Sequence, residues 1–257
     1  MKKNDLTEGS IVKTLLVFAV PFLVANVLQS LYGAVDLFVV GKYCDARSVA
    51  AVSTGTQVTQ IVTSLITGLT LGSTILIGQN MGCRKYGKVK SIIGTTLTAF
   101  AVTAIFLTVL MLIFQRPLLI LLHTPGESFE LTVQYVTICS LGNIFICGYN
   151  AISAVLRGYG DSVRPMIFVG IACILNILLD FLFVKDLHLG VGGTALATVI
   201  SQGVSMGISI VYLKKKEFLF DFKLSGFKPV GSILRELAVL GIPISFQELA
   251  VRISFLY

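Results

Sequence analysis

The chain has 257 residues, 55% of them hydrophobic and only 13% charged, with a mean hydropathy of +0.89. That composition excludes a soluble domain with a polar shell and fits a protein that crosses a membrane several times. The net charge of +7 invites a nucleic-acid reading, which the placement of the charges, in short clusters between apolar blocks, removes.

In chain order, apolar or mildly polar runs occupy 14–40, 48–80, 92–114, 131–156, 165–184, 193–213 and 237–257. Each is about as long as a bilayer-crossing helix, so seven spans are expected. The first continues through Pro21, Asn26 and Gln29 without a small-residue cleavage pattern, so it is expected to remain in the membrane. With the amino terminus in the cytoplasm, fifteen basic residues fall inside: Lys2, Lys3, Lys13, Arg84, Lys85, Lys88, Lys90, Arg157, Arg164, Lys214, Lys215, Lys216, Lys223, Lys228 and Arg235. Only Lys42, Arg47, Arg116 and Lys185 fall outside, with Arg252 within the last run, and this asymmetry fixes the orientation. The basic balance is topological, and no nucleic-acid partner is expected. Cys44, Cys83, Cys139, Cys147 and Cys173 have neither metal-ligand spacing nor a disulfide pattern and are expected as free thiols.

Two halves are suggested by a faint repeat. Lys13-Thr14-Leu15 and Ala19-Val20-Pro21 align with Arg235-Glu236-Leu237 and Gly241-Ile242-Pro243 at an offset of 222 residues. The polar stretch between them, rich in Lys, Gly and Pro, divides the chain into a six-helix lobe (1–215), a cytoplasmic linker (216–235) and the first helix of an incomplete second lobe (236–257). The expected fold class is all-α integral membrane, a six-helix lobe plus a seventh helix. Pro21 and Pro243 lie inside their helices, where proline removes a backbone hydrogen bond, and Pro21 is the candidate hinge. Gly68 and Gly72 allow close helix approach in the second span.

Two carboxylates stand deep in apolar sequence. Asp36 and Asp180 each precede a polar boundary by five residues, which places both roughly 7.5 Å inside the same face of the membrane. An ionised acid there costs at least ~2.5 kcal/mol, so a pair at one depth points to handling of a cation. Asn176 lies one helical turn before Asp180, and Thr198 of the sixth span matches the same depth. Two carboxylates, an amide oxygen and a hydroxyl suit Na⁺ as direct ligands, and they suit H⁺ as well, since two close acids can share a proton. Tyr135 could bond this cluster from above, whereas Asn150 counts nearer the inner end. Glu248 and Arg252 are spaced for an ion pair, and His123 and His188 fall in outer loops. An intramembrane aspartyl protease, suggested by Gly158-Tyr159-Gly160-Asp161, fails because Asp161 lies across the membrane from Asp36 and cannot share its proton. No enzymatic activity is expected.

The segments AVPFLVANVLQSLYGAVDLFVVGK, GLTLGSTILIGQNMG, VLRGYGDSVRPM, NILLDFLFV and GVGGTALATVISQ occur in the order found in multidrug and toxic compound extrusion (MATE) transporters, and the chain resembles that family along its whole length. The resemblance implies twelve helices in two lobes arranged as a V, exporting organic cations or amphiphilic drugs across the plasma membrane in exchange for Na⁺ or H⁺, with no cofactor beyond that coupling ion. It implies cation binding at Asp36, Asn176, Asp180 and Thr198, support from Tyr135 and Asn150, and bending at Pro21. A carboxy-terminal lobe is then the missing partner, and the chain is expected to be a fragment or to work with a second chain. The runner-up within the wider superfamily, a lipid-linked oligosaccharide flippase, would want basic residues in its spans for pyrophosphate, and the first six runs hold none. A non-transporting membrane fragment is the alternative from another class.

Overall fold

The computed structural model describes residues 10–215 and 228–254. Lys2, Lys3, Lys216 and Lys223, with most of the inter-lobe linker, lie outside them. The described chain is helical throughout: α1 Ile11–Tyr43, α2 Ala46–Gly82, α3 Tyr86–Leu121, α4 Gly126–Leu141, α5 Asn143–Gly158, α6 Val163–Asp180 running on as a π-helical turn Phe181–Asp186, α7 Gly190–Lys215 and α8 Gly231–Ser254. Connections of one to four residues join the successive helices from α1 up to the start of α7. Where the connection is a turn, successive helices run antiparallel.

The local chemistry of the turns explains why they can be so short. Asp45 caps α2 by accepting the Ser48 backbone N–H at 3.0 Å and the Ser48 hydroxyl at 2.6 Å. The Ser48 bonds, reinforced by Arg47, hold the Asp45 carboxyl down to about 2, so the cap is ionised at neutral pH. At the other ends, Arg84 after α2 and His123 after α3 take left-handed backbone at φ 56 and φ 51. In each the next amide reaches back to close the helix, Lys85 N–H to the Asn80 carbonyl and Thr124 N–H to the Leu119 carbonyl. His123 is thus a helix terminator, as is His188 at φ 54.

Five helices are long and apolar enough to cross a membrane, and the pair α4 and α5, bent by 45° at Gly142, makes a sixth span among the described residues. The expected fourth span is therefore broken. α8 carries Arg235, Glu236, Glu248 and Arg252, is less apolar, and packs along α2. There Gly68, Gly72 and Gly241 let the two backbones touch: a Cβ on Gly68 would sit 2.5 Å from the Gly241 carbonyl oxygen. Ser245 also donates to the Leu65 carbonyl at 3.0 Å, and Lys88 pairs with Glu236 at 3.0 Å. Arg252 donates to Gln60 at 3.1 Å, where the spacing had suggested Glu248.

The main apolar core joins Val58, Val62 and Ile66 of α2 to Phe100, Ala104 and Leu107 of α3, with Val136 and Ala151 closing it. α1 stands apart from this core, packing mainly on α6 and leaving Leu15, Leu23, Val27 and Phe38 at least 60% exposed. Pro21 is half-buried in an unbroken α1, and next to it the Phe22 ring lies 4.6 Å under the Arg157 guanidinium at the end of α5.

Candidate functional site

α1, α4, α6 and α7 meet around Asp36. Its carboxyl is 2% exposed and accepts three side-chain hydrogen bonds: from the Asn176 amide at 3.4 Å, the Thr198 hydroxyl at 3.2 Å and the Tyr135 phenol at 3.4 Å. Asn176 reaches the Thr198 hydroxyl as well, at 3.4 Å. Helical spacing places these donors. Asn176 projects from α6 toward α1, and Thr198 comes from the α7 face that packs on α6. Tyr135 lies flat against α2 at Gly55, where a Cβ would collide with its ring at 2.4 Å, and its hydroxyl is within 3.3 Å of Thr56.

Asp180 is fully buried and faces the Asp36 carboxyl. Neither of its oxygens has a hydrogen-bond donor, and the Asn176 carbonyl oxygen is likewise unpartnered. No salt bridge reaches either carboxyl among the described residues. Two carboxylates facing each other away from water, with no cation of the described residues beside them, call for a positive charge from elsewhere: a proton shared between them or a bound cation. The unpartnered atoms are all hard oxygens, the donor type Na⁺ takes.

Of the residues named from sequence, Asp36, Asn176, Asp180, Thr198 and Tyr135 form this cluster, and Asn150 does not. Its amide donates to the Ile146 carbonyl of its own helix at 2.8 Å. Pro21 is fifteen residues before Asp36, roughly 22 Å along α1. Sequence reasoning missed Thr56, whose role depends on a contact across 79 residues. It also missed Tyr32, buried one turn before Asp36 and set beside Ser201, which an i, i−4 search from Asp36 would have found. The π-helical turn that begins directly after Asp180 carried no sequence signal either. Such turns recur at functional sites because they re-aim a side chain without ending the helix.

The MatE family model matches residues 21–182, more than half of the chain. The chain belongs to the MatE family. Among named relatives of the MatE chain, a probable multidrug resistance protein, YoeA of Bacillus subtilis, is 32% identical over 255 residues, covering 96% of this chain and 55% of the relative. YpnP of the same organism, also a probable multidrug resistance protein, is 29% identical over 98% of this chain and 56% of its own length. Among solved structures, a MATE transporter in the bent conformation superposes with a TM-score of 0.91 at 28% identity over 99% of this chain and 57% of that one. An outward-facing multidrug resistance MATE transporter also gives 0.91 at 27% identity, covering 99% and 56%, and an inward-facing one gives 0.80 at 25%, covering 99% and 54%. The chain spans about half the length of the relatives it matches, and it is a multi-pass membrane protein of a transporter family.

Proposed function

We propose that this chain is the amino-terminal part of a cation-coupled antiporter exporting organic cations or other amphiphilic drugs, with Asp36, Asn176, Asp180 and Thr198 as the coupling site for Na⁺ or H⁺. Residues 1–215 act as the cation-binding lobe, 216–235 as the cytoplasmic linker and 236–257 as the first helix of the second lobe. The observation that carries the reading is the buried pair Asp36 and Asp180, facing each other with no salt bridge among the described residues and with unpartnered oxygens on Asp180 and Asn176. Tyr135 holds Asp36 in place through its hydrogen bond. Binding of the cation removes the repulsion between the carboxyls and draws α1 against α6 and α7. That change travels along α1 to Pro21, altering its packing on the inner half of the lobe, and substrate leaves outward.

Two measurements test this. The purified chain, titrated with Na⁺ at alkaline pH and separately with protons, should gain thermal stability that Asp36→Asn and Asp180→Asn each remove. In a version extended to the length of its relatives, the same substitutions should abolish cation-dependent efflux of ethidium at unchanged expression. Efflux that survives in both variants defeats the assignment.

A further inference from the structure

A cavity lies well away from the carboxyl pair. It measures about 320 Å³ and is lined by Leu97, Phe100 and Ala101 of α3, a strip of α5 from Ile144 to Ile152, and Met206, Ile210, Leu213 and Lys214 of α7. Lys214 is sixteen residues beyond Thr198, roughly 24 Å further along α7, so this cavity shares nothing with the cation cluster. Every lining side chain except Lys214 is apolar or small, and no acid is among them.

The cavity opens sideways. Ala101 and Ile144 at its edge are exposed, and their neighbours Val102 and Ile105 on α3 are more than 60% exposed. In a membrane these residues meet lipid, so what enters the cavity comes from the bilayer. The eight helical steps from Ile144 to Ile152 on α5 give it a length of roughly 12 Å. A volume of about 320 Å³ drawn out over that length makes an elongated slot rather than a rounded vestibule. The slot ends at Lys214, which is exposed, has no ion pair among the described residues and is followed by the exposed Lys215. An apolar slot, finished where the helix leaves the membrane by lysines with no ion pair among the described residues, matches an amphiphile with a hydrocarbon tail and an anionic head.

We propose that the slot between α3, α5 and α7 binds one acyl chain of an anionic phospholipid, with Lys214 pairing to the head-group phosphate. On the orientation set by the basic residues, this lipid comes from the cytoplasmic leaflet, whose negative surface favours such a pairing. The lipid fills the groove between α3, α5 and α7, and so braces these three helices without touching the cation site.

The test is native mass spectrometry of the purified chain with phosphatidylglycerol and phosphatidylcholine of identical acyl chains, together with photocrosslinking by a phosphatidylglycerol bearing a diazirine near the end of one chain. The wild type should retain one phosphatidylglycerol in preference to phosphatidylcholine, and crosslinks should fall within 97–101, 144–152 and 206–214. Lys214→Gln should lower the preference about fivefold. Ala101→Phe, filling the slot from its open edge, should displace both lipids. Equal retention of the two lipids, a preference unchanged in Lys214→Gln, or crosslinks mapping elsewhere overturns the proposal. So does a lipophilic cation that occupies the slot and binds more tightly once Lys214 is gone. Lys214→Gln alters only an exposed end of α7, so it decides the matter even if Ala101→Phe fails to fold.

Discussion

Asp36 and Thr198 touch at 3.2 Å, the shortest of the contacts to the Asp36 carboxyl, and Thr198 is the member of the cluster that is only partly buried. It is therefore the least enclosed member of the cluster. A hydroxyl there can donate to Asp36 and offer a lone pair to a cation at the same time. A hydrogen bond to a charged group contributes about 1.5–3 kcal/mol, which corresponds to roughly tenfold or more in affinity. Thr198→Val keeps the shape and removes the hydroxyl, so it should weaken the Na⁺-dependent or proton-dependent rise in thermal midpoint by at least about tenfold in concentration. Thr198→Ser keeps the donor and should stay within about threefold of the wild type. Equal behaviour of the two variants would mean that Thr198 contributes packing alone. These residue-scale facts were partly legible in the sequence. Asp36, Asn176, Asp180 and Thr198 could be grouped by depth and by i, i+4 spacing, because both quantities follow from helix geometry. Tyr135 beside Thr56 could not, because that contact depends on how α4 leans on α2, and Asn150 shows the converse: a polar residue at a plausible position that satisfies itself on its own backbone.

Elements pack here without help from the hydrophobic effect, since lipid is as apolar as the helices, so close fit and interhelical hydrogen bonds decide which helices stay together. The α2–α8 contact is the clearest instance. Gly68 sits so near the backbone of Gly241 that any Cβ overlaps it, and neither backbone can yield as a flexible side chain would. Gly68→Ala should therefore destabilise the purified chain by about 1–3 kcal/mol, the usual cost of overpacking, read as a lowered thermal midpoint in detergent. Gly87→Ala is the matching control: Gly87 is helical with nothing within 4 Å of its missing Cβ, so alanine should leave stability unchanged or raise it by up to about 1 kcal/mol. A Gly68→Ala chain as stable as the control would show that α8 is held by its polar contacts instead. The sequence announced the helices and the glycine stripe, because hydropathy runs and small-residue spacing are local signals. It did not announce the break at Gly142, since α4 and α5 together have the length and apolarity of one span. Nor did it announce the π-helical turn after Asp180, because a single inserted residue in a helix leaves the composition of the run unchanged.

At the scale of the whole molecule, the uncovered apolar face of α1 and the exposed Val239, Ile242 and Phe246 of α8 need lipid or another lobe against them, in keeping with relatives about twice as long. The orientation of that assembly rests on the basic residues, and the native thiols offer a direct check. Cys83 is exposed in the turn after α2, beside Arg84 and Lys85, on the side assigned to the cytoplasm. Cys44 lies at the opposite end of α2 and is partly exposed, while Cys139, Cys147 and Cys173 are buried. Burial and the adjacent Asp45 carboxylate push the Cys44 thiol up, so less of it is thiolate at neutral pH and it should react more slowly than a fully exposed cysteine. A membrane-impermeant maleimide added to intact cells should therefore label Cys44 slowly and Cys83 not at all, and Cys83 should react promptly once the membrane is opened. Cys44→Ser should abolish the labelling of intact cells and leave the second reaction untouched. Prompt labelling of Cys83 from outside would invert the topology, placing the carboxyl pair beneath the cytoplasmic surface and Lys214 on the outer leaflet. In that orientation a cation entering from outside would have to cross most of the lobe before meeting Asp36, so the labelling result also fixes the direction in which the proposed exchange can be driven.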